Sequence, residues 1–386
     1  MKIVYLINGM FNSAGRERVV ANKAKYFSEL GHQITIITTD QKNKCYYYQI
    51  PAIVKTIDLS INYDEYAGFN IVKKVLLFRQ KDELFKKRIS EFFKNDPQDV
   101  VITLEDRFIP TLVQLQLKEV LVAESHFNKF ALNELGKSVN RGIIQKIVYN
   151  IRSFYVSKIY YKKLDCLVVL TKEDMRYYNG MYTNIACIPN SINYDIHKCA
   201  PLENKVIVSV GRLTYQKGYD RLIKAWQIVS QKCPDWKLHI YGDGEDKDML
   251  LNLISSYHLL DSVSIFPPTP LIEEKLLESS AFVLSSRFEG LPMVLLEAMS
   301  IGLPVVSYDC KTGPKDIITD GCNGFLVKEG DIIQLAAKVE ELLIDVELRV
   351  SMGKHAKEAS QYYSHEVIAQ KWIDIFSQLM EKHNVK

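Results

Sequence analysis

A chain of 386 residues is longer than one ordinary hydrophobic core needs and long enough for two domains, each burying its own apolar surface. With 47% hydrophobic and 25% charged residues it has the composition of a folded soluble protein, which excludes collagen-like, low-complexity and disordered classes. A net charge of +3 names no partner, and because the basic clusters form no recognised module, nucleic-acid binding is not expected.

The N-terminus, MKIVYLINGMF, is apolar for too short a run to span a membrane and reads as a first strand. Short β-branched runs then alternate with helical patterns: IVYLI from Ile3, QITIIT from Gln33, VVITL from Val100, VLVA from Val120, CLVVL from Cys166 and IACI from Ile185. After a polar stretch from about Ile188 to Lys205 the alternation restarts with KVIVSVG, KLHIYG, SVSIF, AFVLSS and PVVSY. This is the pattern of doubly wound parallel sheets, so an α/β fold of two Rossmann-like domains is expected, residues 1–196 and 197–363. The helical period of 364–386 suggests a last helix crossing back to complete the first domain. Seven cysteines at 45, 166, 187, 199, 233, 310 and 322 contain no CxxC pair, which points to reduced thiols, a cytoplasmic setting and no zinc cluster.

Open α/β sheets bind ligands at the carboxyl ends of their strands, so the loops there carry the argument. After KVIVSVG, Gly211 leads into Arg212 and Lys217, a guanidinium fork and a point charge suited to a diphosphate. After KLHIYG, Gly242 and Gly244 permit close backbone approach. After AFVLSS comes RFEGLP, where Pro292 suits a first helical position and Gly290, Leu291 and Met293 offer amide groups to an anion. Glu289 lies in that loop and Glu297 inside the helix that follows.

Together, VGRLTYQKGYDRLIKAW, IYGDGE, SSRFEGLPMVLLEAMSIGLPVVSYD and GPKDIITDGCNGFLV resemble the C-terminal domain of glycosyltransferase family 4, retaining enzymes of GT-B architecture whose two domains face across a cleft. The spacing of Glu289 and Glu297 matches that family's E-x7-E motif. NSAGRERVVANKAKYFSELGHQITIIT resembles its acceptor-side opening, usually written GGAERV, with Ala14 in place of one glycine and Arg16 in place of a small residue. The resemblance implies that Glu297 holds the ribose of a sugar nucleotide and that Glu289 faces the donor sugar. It implies that Arg212 and Lys217 neutralise the departing diphosphate without a metal ion, and that Gly15 lets the backbone approach the donor. His126, after VLVA, matches the histidine that family members place beside the sugar. The activity implied is transfer of a hexose or N-acetylhexosamine, from a UDP-sugar by family habit, to a glycan or lipid-linked glycan in polysaccharide biosynthesis. Two other readings are a UDP-sugar epimerase of the same architecture and a catalytically silent sugar-nucleotide-binding subunit.

Residues 70–94 and 137–163 are basic with interleaved aromatics, and from Gly136 to Leu164 no acidic residue occurs. Such segments fit an anionic membrane surface, on the cytoplasmic face of the inner membrane, a lipid-linked diphosphate acceptor, or an ordinary solvated helix face packed by its aromatic side. The DKD triplet at Asp246–Asp248 follows the IYGDGE turn and is expected to begin an exposed helix.

Overall fold

The computed structural model describes residues 1–12, 15–66, 71–126, 159–180, 182, 184–192 and 198–384. The chain divides into two compact units: it leaves the first at Ile188, forms the second over Pro189–Val367 and returns to the first from Ile368.

The first unit is built on a parallel sheet of order β3-β2-β1-β4-β5-β6-β7. Its strands are β1 (Lys2–Ile7), β2 (Gln33–Thr38), β3 (Lys55–Asp58), β4 (Val100–Thr103), β5 (Val120–Ser125), β6 (Cys166–Val169) and β7 (Ile185–Cys187). Central strands such as β4 are buried at every position, as a sheet covered on both faces requires. Register is set by these apolar runs, with Ile3 opposite Ile34 on one side and Val100 on the other. The helix α1 (Gly15–Glu29) packs Val20, Ala24 and Phe27 on one face of the sheet. The C-terminal helix His365–Asn384 adds Ile368, Trp372, Phe376 and Leu379 to the same core, a stripe of helical period. Each such burial contributes ~1.5–3 kcal/mol. The opposite face is covered by α2 (Ile71–Asn95) through Phe85, Ile89 and Phe93.

The second unit carries a parallel sheet of order β10-β9-β8-β11-β12-β13. It contains β8 (Val206–Val210), β9 (Lys237–Tyr241), β10 (Val263–Phe266), β11 (Ala281–Leu284), β12 (Val305–Asp309) and β13 (Gly324–Lys328). Both units therefore have the doubly wound α/β architecture that the alternating pattern predicts. Two strands escape the sequence reading, β3 and β13, and both lie at a sheet edge. An edge strand is covered on fewer sides, so KTID needs no continuous apolar run and its residues are exposed or half-buried.

Among the described residues no two cysteines form a disulfide. Among the described residues no helix is long and apolar enough to cross a membrane.

Candidate active site

In the second unit the carboxyl ends of β8, β9 and β11 bring three loops together. The loop after β8 closes into a 3-10 turn, Tyr215–Lys217, and Gly218 follows with φ 65°, a left-handed conformation. A Cβ at Gly218 would also strike the Ser285 carbonyl, so only glycine lets this loop lie against the end of β11. Four hydrogen bonds sew the two loops together. Arg287 N donates to Gln216 O at 2.8 Å, Gln216 Nε2 to Phe288 O at 3.1 Å, Ser285 Oγ to Lys217 O at 2.9 Å and Arg287 Nη1 to Tyr215 O at 2.7 Å. The β9 loop closes from the other side, where a Cβ at Gly242 would collide with the Gly211 carbonyl oxygen. Gly244 likewise lies against the Leu213 backbone, whose N–H bonds Asp243 O at 2.9 Å.

This frame fixes the charges. Lys217 Nζ donates to Glu289 Oε1 at 2.7 Å, and Ser286 Oγ donates to the same oxygen at 2.6 Å. Glu289 is 5% exposed, and Thr312 Oγ1 donates to its backbone carbonyl. The Arg212 side chain, by contrast, makes no hydrogen bond or ion pair among the described residues, and the residue is exposed. It is a cation left available beside a lysine already turned toward a carboxylate.

The helix Met293–Ser300 begins one residue later than the proline suggests: Pro292 is its N-cap, with φ −74° and ψ 90°. The reason is that Pro292 O accepts the first helical hydrogen bond, from Leu295 N at 3.0 Å, while its own ψ is still extended. The amides of Gly290, Leu291 and Met293 donate to nothing among the described residues, that of Met293 because it opens the helix and those of Gly290 and Leu291 in the loop before its cap. Glu297 follows Met293 by four positions on one helix face and is buried, 3% exposed. Asp246 precedes the helix Lys247–Ser256, so the DKD triplet is a helix start. No group of three or more His, Cys, Asp and Glu side chains gathers in metal-binding fashion among the described residues.

One pair on this frame was not anticipated. Arg287 holds Asp220 through both nitrogens, Nη1 to Oδ1 at 2.9 Å and Nη2 to Oδ2 at 2.7 Å, and lies 4.0 Å over the Tyr215 ring. Burial pushes the Asp220 carboxyl up, but the Arg287 bonds more than offset this and hold it below its usual range. The two residues are 67 positions apart, and no local signal joins them.

In the first unit, His126 directly follows β5 and its side chain is 5% exposed. Its Nε2 lies 3.1 Å from Glu124 Oε1. The contact is out of line for a hydrogen bond, and Nε2 has no hydrogen-bond partner. Lys23 of α1 donates to Glu124 Oε1 and sits 4.1 Å over the Trp372 ring of the C-terminal helix. Burial pushes the Glu124 carboxyl up, but Lys23 and then His126 outweigh it and hold it at about 2. Burial in turn lowers the Lys23 ammonium against the pull of Glu124. Glu124 and His126 are two apart along one strand and its end, the spacing that puts side chains on one face, which was the available signal in AESH. Gly15 opens α1 and is exposed, with open space where a Cβ would stand. Ala14 lies outside the described residues.

The basic segments divide. Residues 137–158 lie outside the described residues. In α2 the aromatic side is core, and two basic residues are engaged locally, Lys81 with Ile61 O and Arg88 with Leu59 O. Lys162 and Lys163 are exposed, while Tyr161 is buried and bonds Asp106.

Residues 196–359 match the family described as glycosyl transferases group 1. Over most of its length the chain is similar to the amylovoran biosynthesis glycosyltransferase AmsD of Erwinia amylovora, 29% identical over 97% of this chain and 99% of that protein. It is 30% identical to an uncharacterized glycosyltransferase of Methanocaldococcus jannaschii over 65% of this chain and 68% of the relative. Among solved structures it is similar to a mutant of TarM from S. aureus in complex with Fondaparinux, alpha-GlcNAc-glycerol and UDP. There the TM-score is 0.72, the identity 18%, and the likeness covers 97% of this chain and 99% of that one. At that identity the likeness carries the fold alone, the GT-B arrangement of two Rossmann-like domains.

Proposed function

The chain belongs to the glycosyl transferases of group 1, and from that premise we propose a retaining, metal-independent enzyme of family 4. It moves a hexose or N-acetylhexosamine from a UDP-sugar to a glycan or lipid-linked glycan in polysaccharide biosynthesis. The observation that carries the reading is Lys217 bonded to buried Glu289 on a loop frame locked by Arg287–Asp220, with Arg212 exposed on the same frame. The amylovoran relative supports polysaccharide synthesis, and the UDP and alpha-GlcNAc-glycerol in the TarM complex support the donor and sugar class.

Departure of a nucleoside diphosphate builds negative charge on phosphate oxygens and positive charge on the sugar. In this reading Arg212 and Lys217 meet the first with the amides of Gly290, Leu291 and Met293, and Glu289 faces the second. Positive groups already in place do the work a divalent metal does in other transferases. Glu297 takes the ribose hydroxyls, Gly211 and Gly242 keep side chains out of the nucleotide's way, and Gly15 does the same for the sugar. His126 hydrogen-bonds a sugar hydroxyl. Exposed Lys162 and Lys163 support peripheral attachment to the anionic cytoplasmic face of the membrane, which Lys→Glu changes at both would weaken in liposome pelleting.

The deciding experiment is nucleotide release from a panel of UDP-, GDP- and ADP-sugars, with and without EDTA. Release of UDP that survives EDTA and is lost in Glu289→Ala supports the reading. A new sugar nucleotide without free UDP would instead establish an epimerase, and release that EDTA abolishes would overturn metal independence. Silence across the panel, with donor binding intact by calorimetry and no transfer on adding glycan acceptors, would establish the silent subunit.

A further inference from the structure

In the first unit the sheet order reverses between β1 and β4, and open α/β sheets bind ligands at that switch point, beyond the strands' carboxyl ends. Two segments flank it, the start of α1 after β1 and the loop 104–108 after β4. The loop is held in shape by a turn in which Phe108 N donates to Glu105 O at 3.1 Å, and by Thr103 Oγ1, which donates to the same carbonyl at 3.1 Å. Its three consecutive charged side chains take different partners. Glu105 receives Arg16 Nη1 at 2.6 Å, tying the loop to α1. Asp106 receives the Tyr161 hydroxyl.

Arg107 differs from both. Its guanidinium lies 4.9 Å from the centre of the Tyr63 ring and 5.9 Å from that of Phe78, and it makes no hydrogen bond or ion pair among the described residues. Tyr63 is itself fixed, its hydroxyl donating to Asp82 at 3.0 Å and its ring packed on Phe78 at 5.5 Å. Ring stacking orients the fork and leaves its N–H edge unspent, and a fork held this way matches two oxygens of a phosphate or carboxylate. Burial pushes the Glu105 carboxyl up, against the pull of Arg16 and then of Arg107.

We propose that the switch-point crevice of the first unit is an oxyanion subsite for the acceptor, with Arg107 taking the anion and the Arg16–Glu105 pair forming its wall. The acceptor is then an anionic glycan or glycolipid, bearing phosphate or carboxylate near the hydroxyl that is glycosylated. This deepens the transferase reading and rests on it for the word acceptor.

The test is calorimetry on the full chain saturated with UDP, titrated with glycerol 3-phosphate against glycerol and with glucuronate against glucose. At least one anion binds about tenfold or more tightly than its neutral counterpart, as a charge-assisted pair implies. Arg107→Met, which keeps the stem on the rings, removes that preference while leaving UDP affinity and the unfolding midpoint unchanged, and Arg107→Lys retains part of it. Preference for glycerol 3-phosphate assigns a phosphate-bearing acceptor, and preference for glucuronate an acidic sugar. Anions and neutral probes binding alike, or Arg107→Met binding like wild type, overturns the proposal. If wild type fails to bind UDP, the donor reading fails by itself, and the same titrations without UDP still decide the subsite.

Discussion

The two units share a sheet architecture but wire the charges at their strand ends differently. In the second unit Lys217 and Glu289 are bonded on loops, with Arg212 exposed on the same frame and the Arg287–Asp220 pair as a brace behind them. In the first, Lys23 and Glu124 are wholly buried and sit between the sheet, α1 and the C-terminal helix. The one arrangement leaves an exposed guanidinium on the frame of a loop-borne pair; the other consumes charge in joining three elements and leaves a histidine at its margin. Similar ion pairs thus differ in kind: removing one from the loops should change chemistry, and removing the other should change folding.

The largest effect expected is on the buried pair. Lys23→Met leaves Glu124 charged without its partner and should cost ~3–5 kcal/mol in urea unfolding of the first unit, while Lys23→Met with Glu124→Leu should recover most of that. Next, Glu289→Ala should lower donor turnover ~10²- to 10³-fold with little change in the unfolding midpoint, and a matching loss of stability would erase the contrast. Gly242→Ala forces a Cβ against the Gly211 carbonyl and should cost ~1–3 kcal/mol of stability while weakening UDP binding in calorimetry. The smallest effect belongs to the brace: Arg287→Lys keeps the charge but loses the fork, and kcat/KM should fall about tenfold through the displaced Tyr215–Lys217 turn.

Acid sharpens the same contrast. The Glu124 carboxyl titrates lower in the folded chain, at about 2, than the roughly 4.3 of an unfolded glutamate. The unfolded state therefore binds the proton first as pH falls, so the stabilisation is full above about pH 5 and is lost on the way down to about 2. Circular dichroism between those limits should show the wild type losing stability more steeply than the Lys23→Met, Glu124→Leu double variant.

The strand pattern was legible wherever strands are covered on both faces, because burial there demands an unbroken apolar run. It was not legible at the edge strand β3, whose KTID residues are exposed or half-buried, and the short run of β13, though mostly buried, went unread behind the turn residues of TDGCNG. Lys217, Glu289 and Glu297 could be singled out since each sits within a few residues of a strand end or helix start that is itself recognisable. Glu124 with Lys23, and Arg287 with Asp220, could not be paired, because 101 and 67 residues separate them and only the folded sheet brings them together.

That Trp372 covers Lys23 has a bearing on how the chain is made. The residues that finish the first unit's core, Ile368, Trp372, Phe376 and Leu379, leave the ribosome only after the whole of the second unit has been synthesised. Until then α1 and the sheet beneath it present an uncovered apolar face, with a lysine at its edge that lacks its lid. Among the described residues the second unit comes from the one stretch Pro189–Val367 and is free to fold first, so the N-terminal half of this chain is the last to be completed.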